Sequence, residues 1–252
     1  TPANLRPLSA GNRAALGRSL HLRTPLFPPH LSQREVQVKR IIAIMFIMAT
    51  LALSLQATII ASLENTGVGA AGSGQVDPNW VVRQGSNPYG NAYRTASPGF
   101  PFPYWMANNT TSMWISPSPG YPNAGSDPGG LWEYRNTFDL TNFVLSSVQI
   151  DFRLGVDNRF DGYILNGGPV IIPGPWAAFS TLSPWFSVNT AGLLPGLNTL
   201  TFLVFNVPQQ SGNPGGFRLE FDAQGTEVPE PSASLLLGAG LAGLAIAMRR
   251  RK

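Results

Sequence analysis

The chain has 252 residues, 43% hydrophobic and only 12% charged, and it contains no cysteine, which excludes disulfides, thiolate metal sites, iron–sulfur clusters and thiol catalysis together. Its net charge of +4 suggests a nucleic-acid binder, but seven of the 17 Lys and Arg precede residue 62 and four end the chain. Residues 62–228 keep six basic against eleven acidic residues and no Lys, a surface that repels phosphate and excludes a nucleic-acid partner.

Residues 1–38 are rich in Pro and Arg and lack an initiator Met. They read as a disordered leader, the product of a start assigned too far upstream, and no folded structure is expected there. Lys39-Arg40 then precede an apolar run, Ile41–Leu55, with small residues after it. A basic flank, an apolar core and a small-residue exit describe a secretory signal over residues 39–61, cut after Ala57 or after Ala61. The alternative is a retained membrane helix, since Ile41–Ile60 would reach about 30 Å. Ser62–Gly74 is small and polar and reads as a linker.

From residue 75 to 227 short β-rich runs alternate with turn clusters such as Asp161-Gly162, Asn166-Gly167-Gly168 and Asn213-Pro214-Gly215-Gly216. Val144–Leu154 has a period of two, with Val144, Val148, Ile150, Phe152 and Leu154 on one face. Further strands are expected at 80–83, 113–115, 132–139, 163–165, 170–172, 185–188, 200–207 and 217–222. Eight or nine short strands over about 150 residues predict an all-β fold, a single β-sandwich or jelly roll flanked by the signal helix and a C-terminal hydrophobic helix.

The chemistry available to this domain is narrow. Both histidines, His21 and His30, precede the signal, so imidazole-based triads and metal sites are excluded from it. Glu133, Glu220, Asp139 and Asp151 are the carboxylates that glycoside hydrolysis would need in a facing pair, but each sits beside apolar strand neighbours and reads as solvent-facing. Asp157, Asn158 and Asp161 offer oxygens at short spacing, either for a structural calcium or for an Asx turn; no other cofactor is indicated. Tyr104, Trp105 and Trp114 lie in a Pro-rich segment with Asn and Thr neighbours. Flat rings beside amides and hydroxyls suit sugar stacking; the other reading is that they cap an end of the sandwich. Trp132 and Trp185, within strands, read as core.

The chain ends on Val228, Pro229, Glu230 and Pro231, an apolar stretch from Ala233 to Met248, and Arg249, Arg250, Arg251 and Lys252. Sixteen helical residues span about 24 Å, short of a bilayer core, and the terminal cations would stay cytoplasmic. This three-part tail, residues 228–252, resembles the PEP-CTERM sorting signal of Gram-negative bacteria. The resemblance implies transient residence in the inner membrane, cleavage near Pro229–Pro231 by an exosortase, and release to the cell surface or extracellular matrix, often alongside exopolysaccharide production. A single-pass tail anchor is the other reading of the same residues.

Three further segments resemble galactose-binding-like jelly rolls found in PEP-CTERM proteins. They are Trp132–Thr141 (WEYRNTFDLT), residues 156–167, and Leu194–Asn206 followed by Gly216–Phe221. Together these readings lead to an exported, non-enzymatic surface or matrix protein that binds carbohydrate or exopolysaccharide. The alternatives are a ligand-free structural matrix protein and a small carbohydrate-active enzyme.

Overall fold

The structure is a computed structural model that describes residues 32–52, 57–95, 97–119, 127–210 and 212–228, with six further positions between 238 and 249. The chain forms two compact units, one ending at Met48 and one running from Ala49. Helix α1 spans Gln33–Ala52. It starts on a capping box: Ser32 Oγ accepts from the Glu35 amide at 3.2 Å, and Glu35 Oε2 accepts from the Ser32 amide at 3.1 Å. The leader expectation is thereby corrected for residues 33–38, which form the first turns of α1; residues 1–31 lie outside the described residues. Among the described residues no helix is long and apolar enough to cross a membrane.

The second unit is built of antiparallel strands: β1 (Ala57–Ile59), β2 (Val76–Gln84), β3 (Gly90–Arg94), β4 (Ile115–Ser116), β5 (Gly130–Asp139), β6 (Gln149–Asp157), β7 (Arg159–Leu165), β8 (Val170–Ile171), β9 (Phe186–Ser187), β10 (Leu197–Asn206) and β11 (Gly216–Thr226). They hydrogen-bond in the order β8-β7-β10-β5-β2-β3-β4-β11-β6-β9, with β1 added to β11. This one path curls onto itself. Phe152 on β6 lies 5.2 Å from Phe202 on β10 and 5.6 Å from Tyr163 on β7. Trp80 on β2 lies 5.5 Å from Phe217 on β11. None of these strand pairs is hydrogen-bonded, so the rings meet across the interior of a sandwich-like sheet. Alternation does the sorting: on β6 Ile150, Phe152, Leu154 and Val156 point inward, and on β11 Phe217, Leu219 and Ala223 do.

Three expectations need correction. Residues 144–147 are not strand: Leu145–Ser147 form a 3₁₀ turn, closed by Ser147 Oγ donating to the Val144 carbonyl at 2.7 Å, and Val144 is exposed. Residues 62–74 are not a linker. Leu63 and Thr66 are buried, Thr66 Oγ1 donates to the Met113 carbonyl at 2.7 Å, and Asp77 Oδ2 accepts from the Gly67 amide at 2.6 Å. The domain therefore begins at β1, not at residue 75. Strand β3 gave no sequence signal, because Gly-Asn-Ala-Tyr-Arg holds no β-branched residue; its pairing with β2 and β4 makes it a strand.

Candidate functional site

The segment 97–114, whose three rings read either as a sugar-stacking platform or as a cap on the sandwich, folds back over the outer face of β6 and β11. At that face two glycines stand opposite large residues, Gly216 against Asp157 and Gly155 against Arg218. A Cβ on Gly216 would collide with the six-membered ring of Trp105, and one on Gly155 would lie 2.8 Å from Met106 Cε and 3.1 Å from Trp114 Cη2. Bare backbone here is what lets the two indoles approach the sheet this closely. Trp105 is 2% exposed and Trp114 0%, with ring centroids 4.3 Å apart. Each indole N–H is satisfied: Trp105 donates to Asp157 Oδ2 at 2.9 Å, and Trp114 to the Met106 carbonyl at 3.0 Å. These two rings are a satellite core and not a stacking platform. The stacking reading is corrected for both, and their burial against the sheet stands in its place.

A buried polar cluster pins the same segment. The Arg218 guanidinium donates to Ser112 Oγ at 2.7 Å and to the Ala107 carbonyl at 2.5 Å, and Ser112 Oγ donates to Glu220 Oε1 at 2.7 Å. Glu220 Oε2 pairs with Arg153 at 2.6 Å. Burial pulls the Arg218 pKa down and Glu220 opposes it. Glu220, expected on the solvent face, does point outward on β11, but the 106–113 segment covers it.

Tyr104 behaves differently from its neighbour. It is 69% exposed and stands at the rim of a cleft of about 350 Å³, with Phe100 and Phe179 half-exposed beside it. Phe100 meets Tyr104 edge to face at 6.4 Å. Asp157, Asn158 and Gln209 line the same cleft. Strand β6 ends at Asp157 and β7 begins at Arg159, so the β6–β7 turn supplies the polar groups. Asn158 is fixed twice: its side-chain amide donates to Asp157 Oδ1, and its Oδ1 accepts from the Val207 amide at 2.7 Å. Burial pushes the Asp157 carboxyl up to about 6, against the lowering effect of the Trp105 N–H. The cleft thus sets an aromatic rim over a carboxyl–amide pair. Sequence reasoning picked Tyr104 and the Asp157-Asn158 pair for different purposes; the fold brings them together.

Asp161 does not join them. It is clasped by the Arg159 guanidinium, with Nη2 3.0 Å from Oδ2. Asp157, Asn158 and Asp161 are each committed to other partners, and among the described residues no three acidic or histidine side chains gather to hold a metal. The four carboxylates weighed for hydrolysis are engaged separately. Glu133 accepts from Arg83 and Tyr89, Glu220 from Arg153 and Ser112, Asp139 from Thr141, and Asp151 from Ser187.

Trp132 is half-buried against the core, as expected. Trp185 is not: it is 47% exposed, with the Arg153 guanidinium 4.8 Å from its ring centroid. Trp185 and Phe186 are adjacent, and a strand turns only one of two neighbours inward. Phe186 takes that place, 5.7 Å from Phe152.

Of the tail, Val228 is exposed and its amide donates to the Asn142 carbonyl at 2.7 Å; Arg249 is helical and exposed. Pro229, Glu230, Pro231, Arg250, Arg251 and Lys252 lie outside the described residues.

Residues 227–252 match the PEP-CTERM protein-sorting motif, so the chain carries that motif at its C-terminus. No curated protein matches the chain. Among solved structures, the family 11 carbohydrate-binding module of a cellulosomal cellulase of Clostridium thermocellum aligns over 66% of this chain and 97% of its own, at 12% identity. Its TM-score is 0.30, too low to equate the two folds.

Proposed function

We propose that this is an exported, non-enzymatic β-sandwich protein of jelly-roll type that binds neutral carbohydrate in the Tyr104–Asp157–Asn158 cleft. Export follows from the sorting motif at residues 227–252 together with the apolar run at 41–55, read as a signal peptide. The tail holds the precursor in the inner membrane until an exosortase cuts near Pro229–Pro231. The protein then passes to the cell surface or the extracellular matrix, where exopolysaccharide is the ligand at hand.

The observation that carries the binding reading is Tyr104. A tyrosine 69% exposed at the rim of a cleft, above a carboxyl and an immobilised amide, leaves most of its ring free for a ligand. A sugar ring offers C–H groups to such an aromatic face and hydroxyls to the polar floor. One platform of this kind gives weak affinity, a Kd on the order of 0.1–1 mM, so retention on a polymer depends on many contacts at once. In affinity electrophoresis through gels containing neutral polysaccharide, the exported protein should be retarded. Tyr104→Ala should abolish the retardation and leave the melting temperature unchanged. Retardation that survives in Tyr104→Ala would refute this site.

A further inference from the structure

The two ends of the domain meet on one ladder. Ala57 pairs with Thr226, Thr58 with Gly225 and Ile59 with Gln224, so β1 lies along the last turn of chain before the sorting motif begins at residue 227. The residue after β1 enters the core: Ile60 is 1% exposed, and its amide donates to the Ala223 carbonyl at 3.1 Å. Leu63 follows it inward, its amide donating to the Ile60 carbonyl at 3.0 Å. On the opposite edge, the side that pairs with β6, Phe143 bridges Glu227 and the Val228 amide donates to the Asn142 carbonyl, so the chain leaving β11 is held there up to the residue before Pro229.

From this arrangement the geometry points to the bond between Ala57 and Thr58 as the site where signal peptidase cuts the precursor. The inference rests on the export reading above. Two junctions between the apolar run and residue 69 follow an alanine, Ala57–Thr58 and Ala61–Ser62. They are not equivalent to the folded domain. Cleavage after Ala61 would remove β1 and Ile60, stripping β11 of a partner strand and the core of a fully buried side chain. Cleavage after Ala57 leaves Thr58, Ile59 and Ile60 in place. The strand that leads into the sorting tail then keeps its neighbour when the tail is processed. Ala57 and Ala61 are both exposed, so either accepts a larger side chain without disturbing the core.

The test uses the full chain, expressed in a Gram-negative host and recovered after export, with intact-mass and N-terminal sequencing. The inference predicts a new N-terminus at Thr58. Ala57→Phe, which places a bulky residue beside the scissile bond, should accumulate uncut precursor at least tenfold, and Ala61→Phe should process like the parent. A terminus at Ser62, or precursor accumulating in Ala61→Phe and not in Ala57→Phe, overturns the assignment and the retained role of β1. A terminus at any other residue overturns the assignment. A chain that keeps α1 overturns the export reading as well, and is told apart from the other failures by its mass.

Discussion

Gly216 gives the sharpest test of the satellite core. Its outward hydrogen points into the Trp105 ring, and a methyl group in its place would overlap that ring. Trp114, its ring centroid 4.3 Å from that of Trp105, and the sheet beneath both hinder the indole from shifting aside. Overpacking of this kind costs about 1–3 kcal/mol, so Gly216→Ala should destabilise the domain by that amount. Trp105→Ala alone should cost about 3–5 kcal/mol, the expected range for removing a buried indole. The informative variant is the double one. With the indole gone, the new methyl occupies vacated space, and replacing a strand glycine by alanine recovers about 0.5 kcal/mol of backbone entropy. The double variant should therefore be no less stable than Trp105→Ala, giving a coupling of about 1–3 kcal/mol. Urea unfolding followed by circular dichroism supplies all four corners of the cycle. Costs that add to within about 0.5 kcal/mol would show that Gly216 and Trp105 do not meet, and would return Trp105 to the surface.

The pH dependence of stability should run against the usual acid weakening. Asp77, Asp127 and Asp157 are each pushed up to about 6 by burial, against 3.8 for the free side chain, so the folded state binds more protons than the unfolded one between pH 4 and 6. Stability from these groups is gained as pH falls from 7 to 5, about 1 kcal/mol per carboxyl, and a melting temperature lower at pH 5 than at pH 7 would contradict the burial. Arg218→Ala removes the donor shared by Ser112 and the Ala107 carbonyl and leaves Glu220 with Arg153 and the Ser112 hydroxyl; it should cost about 3–5 kcal/mol in urea unfolding, and a cost below about 1 kcal/mol would show that the cluster does not anchor residues 106–113. Glu133→Gln weakens a pairing with Arg83 and Tyr89 that is partly open to water and should cost about 1 kcal/mol or less.

Strand content was legible where alternation ran long. Residues 132–139 and 217–222 fall inside β5 and β11, and the expected 200–207 runs one residue past the end of β10, since each carries large apolar residues at alternate positions, broken only at Asn136 and Asn206. Legibility failed wherever a residue's environment came from a distant segment. Leu63 and Thr66 sit in a small, polar stretch, and only Met113, Leu219 and Asp77, brought close by the fold, make it structural. The stacking reading of Trp105 and Trp114 rested on their chain neighbours, Pro, Asn and Thr. The clue lay elsewhere, in Gly155 and Gly216 on the outer faces of two otherwise bulky strands, with Arg218 and Glu220 beside them. Trp185 read as core because a strand was expected over 185–188; β9 begins one residue later, and its first residue, Phe186, takes the inward place. At the candidate site Tyr104 reads as a sugar-stacking or end-capping ring, and Asp157-Asn158 as a turn or an ion site. That one cleft holds all three follows from the β6–β7 turn and the 97–106 segment converging, which no local pattern encodes.

The binding reading can be tested most directly by a ¹H–¹⁵N NMR titration of the exported protein with neutral oligosaccharides. The account predicts saturable shifts, with a Kd on the order of 0.1–1 mM, concentrated at Tyr104, Asn158 and Gln209 around the cleft. Shifts gathered instead around Trp185 and Arg153 on the outer sheet face, or no shifts at all, would contradict it.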